Sequence, residues 1–219
     1  MPLPAHACQI ALALGLDVSS SVDAEEYALQ RDGLAAALSA PQVRSLLFSG
    51  AGEVALAVYE WSGRNQQVMV LNWTRITGPV VLDEVIRKIG TARRSYFEFP
   101  TALGYALGFG AILLADAPQC DQRTLDISGD GVTNDGFGPV EAFRNFPFDG
   151  VTVNGLVVQT SDHRVPIYYR NEVIRGDGAF VELADGFADF ERAMTRKLLR
   201  ELGALAIGAV PEKQTESNG

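Results

Sequence analysis

The chain has 219 residues, of which 47% are hydrophobic and 21% charged, a composition typical of a globular protein with one substantial core. Its net charge of −9, with no basic stripe to offset it, argues against binding to nucleic acid or anionic lipid. The longest apolar stretch, residues 102–115, is too short to span a bilayer. No linker-like segment or internal repeat divides the chain, which predicts a single domain.

The first predicted element is a buried strand over residues 9–18. Its apolar run, residues 10–16, is followed directly by Asp17, Ser19 and Ser21 at alternate positions. Side chains at alternate positions of an extended segment point the same way. One carboxylate and two hydroxyls then form an all-oxygen group, which suits Mg²⁺, Mn²⁺ or Ca²⁺ rather than zinc. The alternative is that these residues are only the Ser- and Asp-rich N-terminus of the helix that follows.

That helix is predicted over residues 23–39, because Asp23 and Glu26 form a D-x-x-E capping pattern ahead of an apolar face. Two strands follow, over residues 54–61 and 67–73. A short polar turn joins them, which predicts an antiparallel hairpin.

Helices are predicted over residues 79–89 and 101–115, the second with a mostly apolar surface that indicates deep packing. Thr101 opens this helix, where it could be an ordinary N-cap or a hydroxyl presented by a loop. A strand over residues 123–128 then runs into a Gly-Asp-Gly turn containing Asp130. The glycines would hold Asp130 at the carboxyl end of the strand, although a simple Asp-Gly turn explains the same letters.

The rest of the chain continues the alternation of strands and helices. A short helix is predicted over residues 140–146, a strand over 151–158, a less clear helix over 166–174, a last strand over 179–183 and an amphipathic helix over 187–202. Strands that alternate with helices predict a mostly parallel, doubly wound α/β sheet.

These motifs together resemble the von Willebrand factor A family. Its metal-ion-dependent adhesion site combines D-x-S-x-S after the first strand, a Thr from a middle loop and an Asp after the fourth strand. The matching residues here are Asp17, Ser19, Ser21, Thr101 and Asp130. Further shared segments lie at residues 17–23, 60–63, 128–131, 134–136, 150–156 and 178–181. With these, residues 8–203 more closely resemble a family of uncharacterised exported bacterial proteins with this fold. One departure is Phe99-Pro100, which stands where the wider family often has Gly-Gly before the site Thr.

The resemblance implies a six-stranded sheet of order 3-2-1-4-5-6, with strand 3 antiparallel and helices on both faces. The expected domain covers residues 8–205, with flexible tails at 1–7 and 206–219. Ligands of such sheets bind at the carboxyl ends of the strands where the strand order reverses, here between strands 1 and 4. Asp17 and Asp130 fall at that position.

The resemblance also implies a ligand set for the metal. Ser19 and Ser21, joined by Thr101 in the engaged state, would coordinate directly, and Asp17 and Asp130 would do so directly or through water. The expected ion is Mg²⁺, with Mn²⁺ or Ca²⁺ as alternatives. An open coordination position would accept an Asp or Glu carboxylate from a protein or peptide partner. We expect the protein to be a monomer.

Two pairs of polar residues flank the predicted site. Asn134 and Asp135 follow Asp130 and could orient the loop or lie at the rim of the site, although a solvated turn is the simpler interpretation. Arg93 and Arg94 precede Thr101 and could contact an acidic partner. We expect them to be solvated loop charges instead.

The two cysteines have similar positions relative to the two site carboxylates. Cys8 lies nine residues before Asp17 and Cys120 ten before Asp130. If both carboxylates converge from adjacent parallel strands, the cysteines lie near each other at the opposite ends. A Cys8–Cys120 disulfide is therefore predicted, the alternative being two free thiols in a cytosolic protein.

A disulfide would indicate an oxidising compartment, so we expect an exported protein, periplasmic or extracellular. Residues 5–7 have the small-x-small form of a signal cleavage site, without the apolar segment of a signal peptide before them. The chain could therefore be a mature form. Lipid attachment at Cys8 is weakly supported, because no Leu precedes it at the expected place.

Three functions fit the predicted site. The first is a non-enzymatic module that binds a partner's carboxylate through the metal, and this is our prediction. The second is a metal-assisted hydrolase or phosphatase using Asp17 and Asp130. It is disfavoured because only His6 and His163 could add a histidine acid or base, and neither is expected near the site. The third is a metal that only stabilises loops.

Overall fold

The computed structural model describes residues 8–48 and 52–208. Within them, six strands form one sheet of order β3-β2-β1-β4-β5-β6. The strands are β1 (Cys8–Asp17), β2 (Glu53–Trp61), β3 (Gln67–Ile76), β4 (Gln122–Gly129), β5 (Val151–Val158) and β6 (Val181–Ala184). Every neighbouring pair is parallel except β2 and β3, which are antiparallel. The predicted strand order and the antiparallel third strand are confirmed.

Helices cover both faces of the sheet. They are α1 (Ala24–Ser39), α2 (Pro41–Leu47), α3 (Pro79–Gly90), α4 (Leu103–Ala115), α5 (Pro139–Asn145), α6 (Val165–Tyr168) and α7 (Phe190–Gly208). A π-helical turn, Tyr169–Val173, extends α6, so the unclear segment is helical. The sequence prediction missed α2, which has only seven residues and no side-chain cap. Residues 1–7 and 209–219, predicted as tails, lie outside the described residues.

The central strands are buried on both faces, which explains the continuous apolar run of β1. One core lies between the sheet and helices α1, α2, α3 and α7. The other lies beneath α4, α5 and the α6 segment. Glycines let α4 approach its neighbours closely: a Cβ at Gly110 would lie 2.6 Å from the Leu125 side chain, and one at Gly108 would lie 2.8 Å from the Phe146 ring.

The turn from β1 into α1 is closed as the sequence predicts. The Glu26 backbone N–H donates to Asp23 Oδ1 at 2.8 Å, and the Asp23 N–H donates to Glu26 Oε2 at 2.8 Å. These reciprocal bonds satisfy two backbone donors at the start of the helix. The N-cap, Asp23, therefore lies six residues after Asp17 and leaves residues 18–22 as a loop above the sheet.

The disulfide lies at the amino ends of β1 and β4, opposite the loop that follows Asp17. Cys8 and Cys120 are bonded, with a Cα–Cα distance of 4.5 Å, so the predicted pairing is confirmed. The Asp121 N–H also donates to the Cys8 carbonyl at 3.0 Å. In the part of the chain that the structure describes, no helix has the length and apolar character needed to cross a membrane.

Candidate metal site

The candidate site lies at the carboxyl ends of β1 and β4. These strands are adjacent and parallel, with Leu16 opposite Ser128, so Asp17 and Asp130 lie on neighbouring strand ends. The sheet order reverses here, because β1 also pairs with β2 on its other side. Such a reversal opens a crevice between loops that lead to opposite faces of the sheet.

The structure brings all five sequence-predicted ligands together in one hydrogen-bonded group. Asp17 Oδ1 accepts from the Ser19 N–H at 2.8 Å, and the Ser19 and Ser21 hydroxyl oxygens lie 3.1 Å apart. The Ser21 hydroxyl donates to Asp130 Oδ1 at 2.8 Å. Thr101 Oγ1 donates to Ser19 Oγ at 3.2 Å, which brings the third loop into contact with the first.

The second oxygen of Asp17 is the strongest indication that this group of residues fits a cation. Asp17 is 1% exposed, and its Oδ2 has no hydrogen-bond partner among the described residues. A buried carboxylate oxygen without a partner is costly, and a cation beside it would remove that cost. The side chains in the same hydrogen-bonded group offer carboxylate and hydroxyl oxygens, which suit a hard divalent ion.

The group differs from a metal centre rich in charged ligands. Within residues 8–48 and 52–208, no three or more His, Cys, Asp or Glu side chains are arranged to hold a metal. Three of the five side chains in the candidate site are Ser or Thr, so most of its ligands would be uncharged. The residues present fit a divalent cation through two carboxylates and three hydroxyls.

Burial and mutual repulsion shift the two carboxyl groups. Burial, together with the charge of Asp130, raises the pKa of Asp17 to about 7, against weaker opposition from its hydrogen bonds with Ser19 and from Arg94. Burial also raises the pKa of Asp130, and the hydrogen bond from Ser21 partly opposes that shift. A divalent cation would favour the ionised form of both groups.

The metal-free protein should therefore lose stability relative to an Asp17→Asn variant as pH rises from about 4 to about 7. Below this window the Asp17 carboxyl is protonated in both the folded and the unfolded state. Within it, the carboxyl ionises freely in the unfolded state, while burial keeps it protonated in the folded state. The free energy of unfolding therefore falls as pH rises. Urea unfolding in chelator, from pH 4 to 8, measures the difference. Parallel stability curves for the two proteins would contradict it.

The loop that carries Thr101 is fixed by backbone contacts despite the unusual Phe99-Pro100. The Thr101 N–H donates to Asn134 Oδ1 at 2.9 Å, and the Asn134 N–H donates back to the Thr101 carbonyl at 2.9 Å. The Ser20 N–H donates to the Phe99 carbonyl at 2.8 Å. Asp135 lies further out, in an ion pair with Arg64 at 2.6 Å. Asn134 thus joins the loop after β4 to the loop before α4.

Arg94 corrects one expectation, since it is not a solvated loop charge. Its Nη2 donates to the carbonyls of Val18 and Ser19, at 3.1 and 3.0 Å, and its side chain is partly buried. Arg93 is exposed, as expected. Arg94 was misjudged because its partners are backbone carbonyls 75 and 76 residues earlier, which leave no pattern in the sequence.

Sequence reasoning also missed a buried polar pair behind Asp17. Gln30, on α1, donates from Nε2 to the Asp17 carbonyl at 2.9 Å and accepts from the Ser128 hydroxyl at 3.3 Å. A Gln within a helix usually indicates a solvated face, so nothing local distinguished it. The pair ties α1 to the ends of both β1 and β4 and so holds the two strand ends in register beneath the site.

Comparison with solved structures gives matches that establish the fold. Proximal thread matrix protein 1 from the mussel byssus has a TM-score of 0.63 at 15% identity, over 90% of this chain and 49% of that one. A von Willebrand factor type A protein from Catenulispora acidiphila has a TM-score of 0.63 at 14% identity, over 90% and 43%. The PilB minor pilin of Streptococcus sanguinis has 0.69 at 13%, over 96% and 65%.

This chain thus spans about half the length of the mussel protein, which was also solved with a zinc-occupied MIDAS motif. No curated protein matches this chain. A family model matches residues 7–206, nearly the whole chain. The chain belongs to the family described as "Protein of unknown function (DUF1194)", with a von Willebrand factor A-like fold.

Proposed function

We propose that this protein is a non-enzymatic binding module that recognises a carboxylate of a protein or peptide partner through a divalent cation. The proposed ligands are Asp17, Ser19, Ser21, Thr101 and Asp130. The observation that carries the proposal is the buried Asp17 Oδ2, which has no partner among the described residues although Asp17 belongs to one hydrogen-bonded group with four other oxygen-bearing side chains. Mg²⁺ is the proposed ion, with Mn²⁺ and Ca²⁺ as alternatives.

The charges of the site favour an acidic partner once a cation is bound. Two carboxylates balance one divalent ion, and the three hydroxyls add no charge. Because hydroxyls are weak donors, the bound ion would keep a strong attraction for a further carboxylate. Asp17 and Asp130 would hold the ion, while Ser19 and Thr101, both buried, would fix its position from two separate loops.

An enzymatic role has less support. Metal-assisted hydrolysis needs a group that moves a proton beside the metal. The one histidine within the described residues, His163, is exposed in the segment after β5. The carboxylates near the candidate site are already used by the binding proposal. The Tyr169 hydroxyl also lies close to Asp17, but burial and the charges of Asp17 and Asp130 raise its pKa well above the ordinary value, so it is poorly suited to lose a proton. A purely structural ion is the remaining alternative, and it predicts that no carboxylate ligand will bind.

The comparisons support the proposal in a general way. The mussel structure contains zinc in its MIDAS motif, which is consistent with a divalent cation here. Other structures with this fold are a minor pilin and the pilus adhesin SpaC from Lactobacillus rhamnosus. Together with the Cys8–Cys120 disulfide, these likenesses support export to the periplasm or the exterior.

Calorimetric titration of metal-stripped protein with Mg²⁺, Mn²⁺ and Ca²⁺ tests the proposal. We expect saturable binding of at least one ion, weakened at least about 100-fold in Asp17→Ala and in Asp130→Ala, more than loss of an outer-shell partner usually costs. Asp149→Ala is the matched control, because Asp149 is exposed and precedes β5 at the opposite edge of the sheet. Binding that survives both site substitutions would refute the ligand set.

A further inference from the structure

The loop between α3 and α4 exposes aromatic side chains immediately beside the candidate metal site. Phe97 is 63% exposed and Phe99 37% exposed, and Thr101 follows two residues later. Single exposed apolar residues are common on protein surfaces and need no explanation. Here two aromatic residues lie in the loop that also contributes a proposed ligand. Their position beside the candidate site makes them candidates for contact with a bound partner.

Several contacts fix this loop against the metal-site loop. Arg94 donates to the carbonyls of Val18 and Ser19, and the Phe99 carbonyl accepts from the Ser20 N–H at 2.8 Å. The Ser95 N–H donates to Glu60 Oε2 at 2.8 Å, and Glu60 is buried. The aromatic residues are therefore held on an anchored loop, which reduces the ordering cost of a contact with a partner.

The aromatic side chains of this loop contact their neighbours yet stay partly exposed to solvent. The rings of Tyr96 and Phe99 meet edge to face, with centroids 5.3 Å apart. The guanidinium of Arg94 lies 5.3 Å from the centroid of the Phe97 ring. Arg94 thus connects Phe97 to the metal-site backbone, and Phe97 remains the most exposed ring of the loop.

The charges near the loop favour an acidic segment. The protein as a whole carries −9, yet Arg93 and Arg94 lie at the start of the loop. Arg93 is exposed, and none of the described residues forms an ion pair with it. An exposed arginine beside a proposed carboxylate-accepting site would favour the approach of a negatively charged segment.

We propose that Phe97 and Phe99 form an apolar contact for the residue next to the coordinating carboxylate. This inference rests on the proposed function and adds the class of partner. The partner is a protein or peptide segment in which an Asp or Glu is flanked by a large apolar side chain, such as Leu, Ile or Phe. Its carboxylate reaches the metal while the neighbouring side chain packs on the exposed ring of Phe97.

Three short peptides test this with Mg²⁺-loaded protein: acetyl-Leu-Glu-Leu-amide, acetyl-Gly-Glu-Gly-amide and the Gln analogue of the first. We expect the Leu-Glu-Leu peptide to bind about tenfold more tightly than the Gly-Glu-Gly peptide, and the Gln analogue to show no metal-dependent binding. The tenfold ratio should fall close to one in Phe97→Ser, with Phe99→Ser as a second variant. Unchanged Mg²⁺ affinity checks that the variants remain folded.

Val80→Ser is the matched control, because Val80 is 72% exposed at the start of α3, at the opposite edge of the sheet, and should leave the ratio unchanged. Equal metal-dependent affinity for the two Glu peptides would overturn this inference and leave the proposed function intact. Failure of both Glu peptides to bind would overturn both. Metal-dependent self-association that disappears in Glu98→Gln would assign the loop to a second copy of the chain and also overturn it.

Discussion

Replacing Lys197 by alanine is expected to lower the free energy of unfolding by about 3–5 kcal/mol, the range measured when one partner of a buried ion pair is removed. Lys197 lies on α7 and is fully buried. Its Nζ is 3.0 Å from Asp126 Oδ1 on β4 and 2.8 Å from Glu201 Oε1 one turn later on α7. It also lies 4.6 Å from the centroid of the Phe180 ring.

The cost arises because the lysine is the cation shared by two buried carboxylates. Burial alone would lower the pKa of Lys197, but Asp126 and Glu201 outweigh it and raise that pKa. Burial raises the pKa of Asp126 to about 7, against the opposing effect of Lys197. Without the lysine, Asp126 must be protonated or remain charged in the core. Asn154 would still donate to Glu201 at 2.7 Å but supplies no charge.

Urea unfolding at pH 7 measures this effect, and two comparisons make it specific. Lys88→Ala, on the exposed side of α3, should change stability by less than about 0.5 kcal/mol. The triple variant Lys197→Met, Asp126→Asn and Glu201→Gln should recover at least half of the loss, because it removes the uncompensated charges along with the cation. A loss below about 1 kcal/mol in Lys197→Ala would show that the cluster contributes little to stability.

Loss of the Cys8–Cys120 disulfide is expected to cost about 4–5 kcal/mol, from the chain entropy of closing so long a loop. The two cysteines are 112 residues apart, and the intervening chain contains the hairpin and helices α1 to α4. In the folded state the bond joins the start of β1 to the segment before β4. In the unfolded state it excludes many extended conformations, which is the larger part of its effect.

Reducing the disulfide and replacing both of its cysteines should lower the stability of the protein by the same amount. Reductant should lower the urea midpoint of the wild-type protein and leave Cys8→Ala/Cys120→Ala unchanged, since that variant has already lost the cross-link. The variant should unfold close to the reduced wild type. If reductant left the urea midpoint of the wild-type protein unchanged, the expected contribution of the disulfide would be contradicted. Mass spectrometry of protein purified from the periplasm, without reductant, would show whether the bond forms there.

The sequence by itself determined much of the fold because its signals are local. The unbroken apolar run of β1 predicted a buried strand, and the Asp23–Glu26 pattern placed the start of α1. Strand–helix alternation predicted the parallel sheet, and the family resemblance supplied its order. Topology then placed Asp17 beside Asp130 and Cys8 beside Cys120, because residues near the ends of adjacent parallel strands must meet.

Tertiary structure alone decided the roles of the long polar side chains. Gln30, Arg94 and Lys197 would ordinarily be solvated, yet their head groups reach partners on other elements. Asp126 and Ser128 of β4 are both buried, and there Lys197 forms an ion pair with Asp126 while Gln30 accepts a hydrogen bond from Ser128. Such pairings depend on how helices dock against the sheet, and that geometry arises from packing over the whole domain rather than from any segment of the sequence.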